Sequence, residues 1–302
     1  MSKKKKKSFQ LFLMILPFLI LVIIFSYYPL YGWRYAFYDY KPPKSLANCN
    51  FVGFKWFASL VNSKTKLEQL GQVLKNTFAM SGITVGTSWL PMLFAVFLNE
   101  IRNSKFRKVI QTMTTLPNFV SWVMVYSIAF SMFNSTGMMN SLLMKMNLIQ
   151  EPILFLQQSN HVWFTQWLWL TWKNLGWAAI MYVAAISNID HEMIEAAMVD
   201  GASRMQIIRH ITIPSLLPTY FVLLILSVAN FLNNGMEQYY VFQNAFNKQY
   251  IQVLDLYVYN IAMGSGGYPV SVAISMLKSL VSVVLLLGVN GLSKLIRGES
   301  IL

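Results

Sequence analysis

The side chains best placed to do chemistry in this sequence are polar groups embedded in apolar runs. Lys173 and Asn174 stand among Trp169, Trp172 and Trp177. Asn230, Asn233, Asn234 and Glu237 recur at three- to four-residue spacings that a helix would gather on one face. Indole rings stack on the apolar faces of sugars and amides bond hydroxyl groups, so this combination suits carbohydrate. Lys278 adds a cation about a third of the way into the last apolar run, where a carboxylate or an anionic solute would answer it. The same residue types also serve as interhelical glue, interface anchors and snorkelling cations, and spacing alone leaves both uses open.

Other chemistries lack their groups. His161, His191 and His210 show no ligand spacing, and the single cysteine, Cys49, can form neither an internal disulfide nor a multi-cysteine metal site, so no metal is expected. No nucleophile–base arrangement stands out, and no catalytic residue is assigned. The chain has no Gly-Lys dipeptide and therefore no Walker A phosphate loop. It is expected to be non-catalytic and to bind no cofactor.

Composition says which elements must hold these groups. Charged residues are 12% of the 302, half the usual ~25%, and apolar types reach 56%. Too few charges remain to cover a soluble domain of this size, and 21 Phe, 15 Tyr and 9 Trp exclude low-charge disorder. The chain belongs in a lipid bilayer. A net charge of +13 would raise nucleic acid in a soluble protein, but the basic residues lie between apolar runs, where they set orientation instead. No nucleic-acid partner is expected.

Runs long enough to cross a bilayer as helices fall at about 9–31, 73–99, 109–134, 162–187, 216–236 and 270–295. The first follows the lysine run 3–7, and no small-x-small cleavage site comes after Phe25, so it reads as an uncleaved span. With the N-terminus cytoplasmic, thirteen Lys and Arg fall inside and eight outside, six of the eight in the long loop 32–72. The expectation is a multi-pass protein of the plasma or inner membrane with both termini cytoplasmic. Residues 1–8 form a basic tail, and 9–302 form one all-α transmembrane domain of six helices.

One inside loop, about 188–215, has more structure than a connector needs. Asp190 can cap a helix, and Glu192 and Glu195 lie where its positive end favours anions. Gly201 can take the left-handed conformation that ends it, and Ser203 with Gln206 reads as a capping box opening a second short helix. Pro214 and Pro218 are expected to prevent a seamless continuation into the next span. The result is a helix–Gly–helix elbow whose small face, Ala196 and Ala197, permits close approach by a partner. An amphipathic helix resting on headgroups is the alternative that local pattern leaves open.

Glu195-Ala196-Ala197, three residues, Gly201, nine residues, then Ile211-Thr212-Ile213-Pro214 resembles the EAA loop of binding-protein-dependent ABC importer permeases, with Ile213 in place of Leu the single departure. Further stretches resemble the carbohydrate permeases of the maltose-permease superfamily, LplB/YteP-like branch. They are Tyr28-Pro29-Leu30-Tyr31-Gly32, Ala36-Phe37-Tyr38-Asp39-Tyr40, Leu98-Asn99-Glu100-Ile101-Arg102-Asn103, Leu116-Pro117-Asn118-Phe119-Val120-Ser121-Trp122, Glu237-Gln238, Tyr257-Val258-Tyr259 and Gly298-Glu299-Ser300.

The resemblance implies a type I ABC importer permease fold, with Glu192, Glu195, Ala196, Ala197 and Gly201 forming the helix that couples to an ATPase. It also implies a second permease subunit in a heterodimer, two ATPase subunits carrying the ATP and Mg, and an extracellular solute-binding protein. The outside segments 32–72 and 237–269 are expected to receive that protein, and the substrate is expected to be an oligosaccharide from glycan breakdown. Its path would pass Trp172, Lys173, Asn174, Asn230, Asn233, Asn234, Glu237 and Lys278. An ABC permease for another solute shares the loop and stays open as an alternative. An ion-coupled secondary transporter is disfavoured because no internal repeat is visible and acidic residues avoid the middle of the spans.

Overall fold

The computed structural model describes residues 3–264 and 266–297. The motif at 298–300 and Ser265 lie outside the described residues. Helices account for the regular structure of the described residues, with one isolated antiparallel bridge between Tyr38 and Phe51.

One compact unit comprises Met1–Glu68 and Val258–Leu280. Helix α1 (Lys3–Val22) starts inside the lysine run and continues through a π turn, Ile23–Tyr27, and a 3-10 segment, Tyr28–Phe37, opened by Pro29. An aromatic cluster then anchors the chain: Phe37 packs edge-on to Phe54, Tyr35 to Tyr268, and the Trp56 indole N–H donates to Tyr38 O at 2.9 Å. Helix α2 (Lys55–Asn62) buries Leu60 against this unit. The segment after the first span is therefore held by aromatic contacts.

The second unit, Gln69–Tyr257 with Val281–Leu302, holds most of α3 (Lys64–Gly86), then α4 (Leu90–Asn99), α5 (Ser104–Thr115), α6 (Trp122–Phe133), α7 (Met138–Lys145) and α8 (Val162–Ser187). It continues with α9 (His191–Val199), α10 (Arg204–Ile207), α11 (Ile213–Ala229), α12 (Glu237–Phe242) and α13 (Lys248–Ile251). Helices α14 (Leu254–Gly264) and α15 (Tyr268–Arg297) complete the chain. Its core lies where Met92, Ala95 and Val96 of α4, Ala179, Tyr182 and Ile186 of α8, and Leu216 of α11 meet.

Among the described residues, four helical stretches are long and apolar enough to cross a membrane: Leu11–Phe37, Lys64–Asn99, Arg204–Ala229 and Tyr268–Gly291. A bent pair, Ser104–Phe119 and Trp122–Lys145, makes a fifth, its halves meeting at 105°. The straight span expected at 109–134 is thus broken. Pro117 has no N–H to donate, and Val120 and Ser121 are extended. Helix α8 has 26 residues but falls short in apolarity, because it carries Gln166, Lys173 and Asn174 among five tryptophans.

Two further expectations are corrected. The helix expected over 216–236 runs from Arg204 to Ala229, because a π turn at Ile208–Thr212 carries it across Pro214. There the Ile213 N–H bonds Ile208 O, five residues back, so the backbone path widens just before the proline that cannot donate. Asn230, Asn233, Asn234 and Glu237 accordingly do not share one helix face: α11 ends at Ala229, Gly235 sits at φ +73°, and Glu237 opens α12.

The segment from 237 packs into the protein. Gln238, Tyr239, Phe242, Ile251, Val253 and Leu254 are buried. A polar face of α3 pins it: the Asn76 amide donates to Gln249 O (2.8 Å) and Gln252 O (3.0 Å), and Thr77 Oγ1 accepts the Leu254 N–H at 2.9 Å. Fully buried backbone carbonyls need such donors where water is absent.

Candidate functional site

The elbow is built by its own residues. Asp190 Oδ1 accepts the Glu192 N–H at 2.9 Å, freeing α9 from α8 and turning the chain. At the other end Gly201 takes φ +79°, and its N–H reaches Met198 O (3.1 Å) while the Ala202 N–H reaches Ala197 O (2.9 Å). That pair of bonds is the Schellman arrangement, which uses carbonyls the helix end leaves free. The next residues form the capping box in full: Ser203 N–H to Gln206 Oε1 at 2.7 Å and Gln206 N–H to Ser203 Oγ at 3.4 Å.

Glu192, Glu195, Ala196 and Gly201 are exposed on α9 and its cap, with Ala197 partly covered. Around them Met193 (51% exposed), Met198 (57%) and Val199 (88%) present an apolar surface. These three were not singled out from sequence, although their spacing of five and one beside the Ala pair put them on the same short helix. Apolar side chains this exposed on a short polar-capped helix call for a covering surface. Arg204 Nη1 lies 3.8 Å from Glu100 Oε2, so the elbow stands beside the end of α4.

Two cavities flank α8. The first, about 310 Å³, lies between the end of α3, α4, α8 and α11 and is lined by Thr84, Ser88, Trp167, Thr171, Asn174 and Ser227 among others. Its polar groups are fixed by bonds: the Trp167 indole N–H donates to Thr87 Oγ1 at 2.9 Å, and Ser88 Oγ and Tyr220 OH are 3.2 Å apart. The second, about 390 Å³, is walled by Phe133, Phe155, Trp169, Trp172 and Phe242, with Gln158, Gln166 and Asn247 supplying amides. Its rings brace one another: Trp169 lies 6.0 Å from Trp172 and 5.9 Å from Phe242. Among aliphatic side chains, both walls carry rings, hydroxyls and amides, groups that take up a polyhydroxylated solute by stacking and hydrogen bonding.

The predicted pathway residues separate on this frame. Trp172 and Asn174 line the second and first cavities respectively. Lys173 lines neither: it is 7% exposed, and its ammonium donates to the carbonyls of Pro117 (3.1 Å), Asn118 (2.6 Å) and Val120 (2.7 Å). Asn230 and Asn233 are exposed and bonded to each other at 3.2 Å, while Asn234 donates to Ser81 Oγ at 2.9 Å and keeps its carbonyl oxygen buried without a partner. Glu237 is exposed at the start of α12, and Lys278 is partly covered on α15 in the first unit. Thr84, Thr87, Ser88 and Ser227 were missed. The first three continue the small polar face of Thr77 and Ser81 along the same run, and that periodicity was available in the sequence.

The fold is that of a helical, multi-pass membrane protein, with four or five candidate crossings among the described residues. Residues 82–298 match the model of the binding-protein-dependent transport system inner membrane component, and the chain belongs to that family of ABC transporter permeases. Over 293 residues it is 35% identical to protein LplB of Bacillus subtilis (strain 168), covering 96% of this chain and 90% of that one. It is also 35% identical, over 295 residues, to the polygalacturonan/rhamnogalacturonan transport system permease protein YteP of the same organism, covering 96% and 89%. In structure it resembles a chain of the bacterial alginate ABC transporter in complex with an alginate pentasaccharide-bound periplasmic protein, with a TM-score of 0.86, 30% identity and 99% of each chain covered.

Proposed function

We propose that this chain is the permease subunit of an ATP-driven importer that carries oligosaccharides from glycan breakdown across the cell membrane. The observation that carries the transport reading is the elbow: a nine-residue helix capped at both ends, largely exposed and bearing the EAA spacing through Gly201. The carbohydrate reading is supported by the relative named for polygalacturonan/rhamnogalacturonan transport and by the rings, hydroxyls and amides that line two cavities beside α8.

In this reading α8 is the sixth crossing, its polar residues turned into protein, and both termini are cytoplasmic. Residues 1–8 are a basic tail, and 9–302 one permease domain. A separate ATPase, present in two copies, binds ATP and Mg and seats α9 in a groove, with Glu195 its polar contact and Met193, Met198 and Val199 its apolar filling. A second permease completes the pathway, and an extracellular solute-binding protein delivers the sugar to the aromatic-anchored segment 32–72. ATP-driven closure of the ATPases moves α9 as a rigid lever on α8 and opens the cavities outward.

The test is uptake in the producing cell with and without this gene. Labelled oligosaccharides from digested polygalacturonan, from alginate and from a neutral arabinan are supplied in turn. The expected result is energy-dependent uptake of one pool, lost on deletion and restored by the wild-type chain. Uptake of every pool unchanged by the deletion overturns the carbohydrate reading.

A further inference from the structure

We infer that Lys173 is a positioning residue that clamps the broken span to α8, so that motion of the elbow reaches the break at 116–121 through α8. Three observations converge on one turn of helix. Inside the break the Pro117 carbonyl accepts the Val120 N–H at 3.2 Å, and the Lys173 ammonium, which has three N–H groups and no acceptor, meets that carbonyl and those of Asn118 and Val120 at 3.1, 2.6 and 2.7 Å. Next to it, Asn174 Oδ1 accepts from the Asn118 side-chain amide at 2.9 Å. One turn on, Gly176 presses its backbone so close to α5 that a Cβ there would stand 2.3 Å from the Thr114 carbonyl carbon.

The clamp matters because of what lies on either side of it. Helix α8 is unbroken from Val162 to Ser187 and passes through Asn188 and Ile189 straight to the Asp190 cap of the elbow. The same turn of α8 carries Trp172 and Asn174, one on each cavity. On the other side the break turns the chain by 105°, carrying Phe119 edge-on to Trp177 at 5.6 Å and Trp122 beside the Lys173 ammonium at 5.5 Å. An ammonium buried in hydrocarbon is tolerated where carbonyls replace its water, and here the break turns the Pro117, Asn118 and Val120 carbonyls toward it. Lys173 therefore serves the backbone, and the solute meets its neighbours. Asp and Glu do not reach this ammonium within ion-pair distance among the described residues.

This assignment presupposes that the chain is a permease moving solute past α8. Its test uses the assembled importer in proteoliposomes, with Cys49→Ser removing the native thiol and Phe119→Cys placing a reporter on the break. Maleimide labelling of that reporter is followed without nucleotide and with ATP trapped by vanadate. With Lys173 present the labelling rate is expected to differ between the two states; in Lys173→Met the two rates fall within about twofold of each other, and Lys173→Arg, which keeps the donors, restores the difference. Uptake of the polygalacturonan-derived oligosaccharides is then compared. Lys173→Met is expected to lower Vmax about tenfold or more while KM stays within about twofold, the pattern of lost positioning.

A raised KM with Vmax kept would make Lys173 a solute ligand and overturn the clamp, as would a labelling difference unchanged in Lys173→Met. Should that variant fail to assemble, Gly176→Ala displaces the same break from the other side and is expected to give the same loss of the labelling difference. Wild-type labelling in an assembled Gly176→Ala importer overturns the clamp equally. The labelling arm needs no solute, so absence of uptake by the unmodified importer counts against the carbohydrate reading alone.

Discussion

Helix interruptions occur at both the elbow, 188–203, and the break at 116–121, and the two are closed by different parts of the chain. At the elbow each freed group finds a partner within five residues: Asp190 for Glu192, Met198 and Ala197 for Gly201 and Ala202, Gln206 for Ser203. At the break one short bond is local, Val120 N–H to Pro117 O, and the carbonyls of Pro117, Asn118 and Val120 are met by Lys173, from 53 to 56 residues away along the chain. A locally closed turn keeps its shape wherever it is carried, which suits a surface that must dock. A turn closed from a distance has its shape only while the other helix is in place, which suits a joint that must respond. Both can be checked, once at the break and three times at the elbow.

The largest effect is expected at the break. Gly176→Val would force a branched side chain into the Thr114 backbone, costing on the order of 3 kcal/mol by overpacking. Thermal unfolding of the purified protein in detergent should fall sharply at its midpoint. An unchanged midpoint would mean that α5 and α8 are not held in this contact.

Gly201→Val is next. Nothing lies within 4 Å of a Cβ there, so the cost is conformational alone, about 1–2 kcal/mol for leaving φ +79° to a side chain that resists it. Transport at equal membrane abundance should drop further than thermal stability does, and Gly201→Asn, which tolerates the left-handed region, should recover both. Equal transport by the valine variant would count against the lever.

Smaller again is Ser203→Ala, which removes one half of the capping box for ~1 kcal/mol and should show as faster amide exchange confined to 203–207. Exchange spreading into 116–121 would contradict the separation of the two interruptions. Smallest is Arg204→Ala: its 3.8 Å pair with Glu100 is solvent-exposed, and its loss should change stability by no more than about 0.5 kcal/mol and less in high salt.

The contrast also explains what could be read from the residues. Caps have side-chain signatures, so Asp190, Gly201, Ser203 and Gln206 announced the elbow one by one. The break was announced only by Pro117, since the groups that need satisfying there are carbonyls, which every residue has. Its partner, Lys173, looked like a pathway cation because an isolated intramembrane lysine has no way to show, in one dimension, that it points at backbone. Asn230 to Glu237 misled for a related reason: spacing assumes an unbroken helix, and α11 ends at Ala229. Proline misled in the opposite direction at 214, where a π turn carried the helix on. The cavities were half legible, their rings prominent and their small hydroxyls hidden among residues common in any membrane helix.

That π turn sets a bearing. It holds one residue more than an α-helical path would use, and each residue turns a helix by about 100°. The compass direction in which Ser203 and the elbow leave α11, relative to the face that buries Leu216, is therefore written into chain length at 208–212. Removing a single residue there would straighten the ladder and leave every side chain of the elbow intact, yet turn its exposed face by about a quarter-turn.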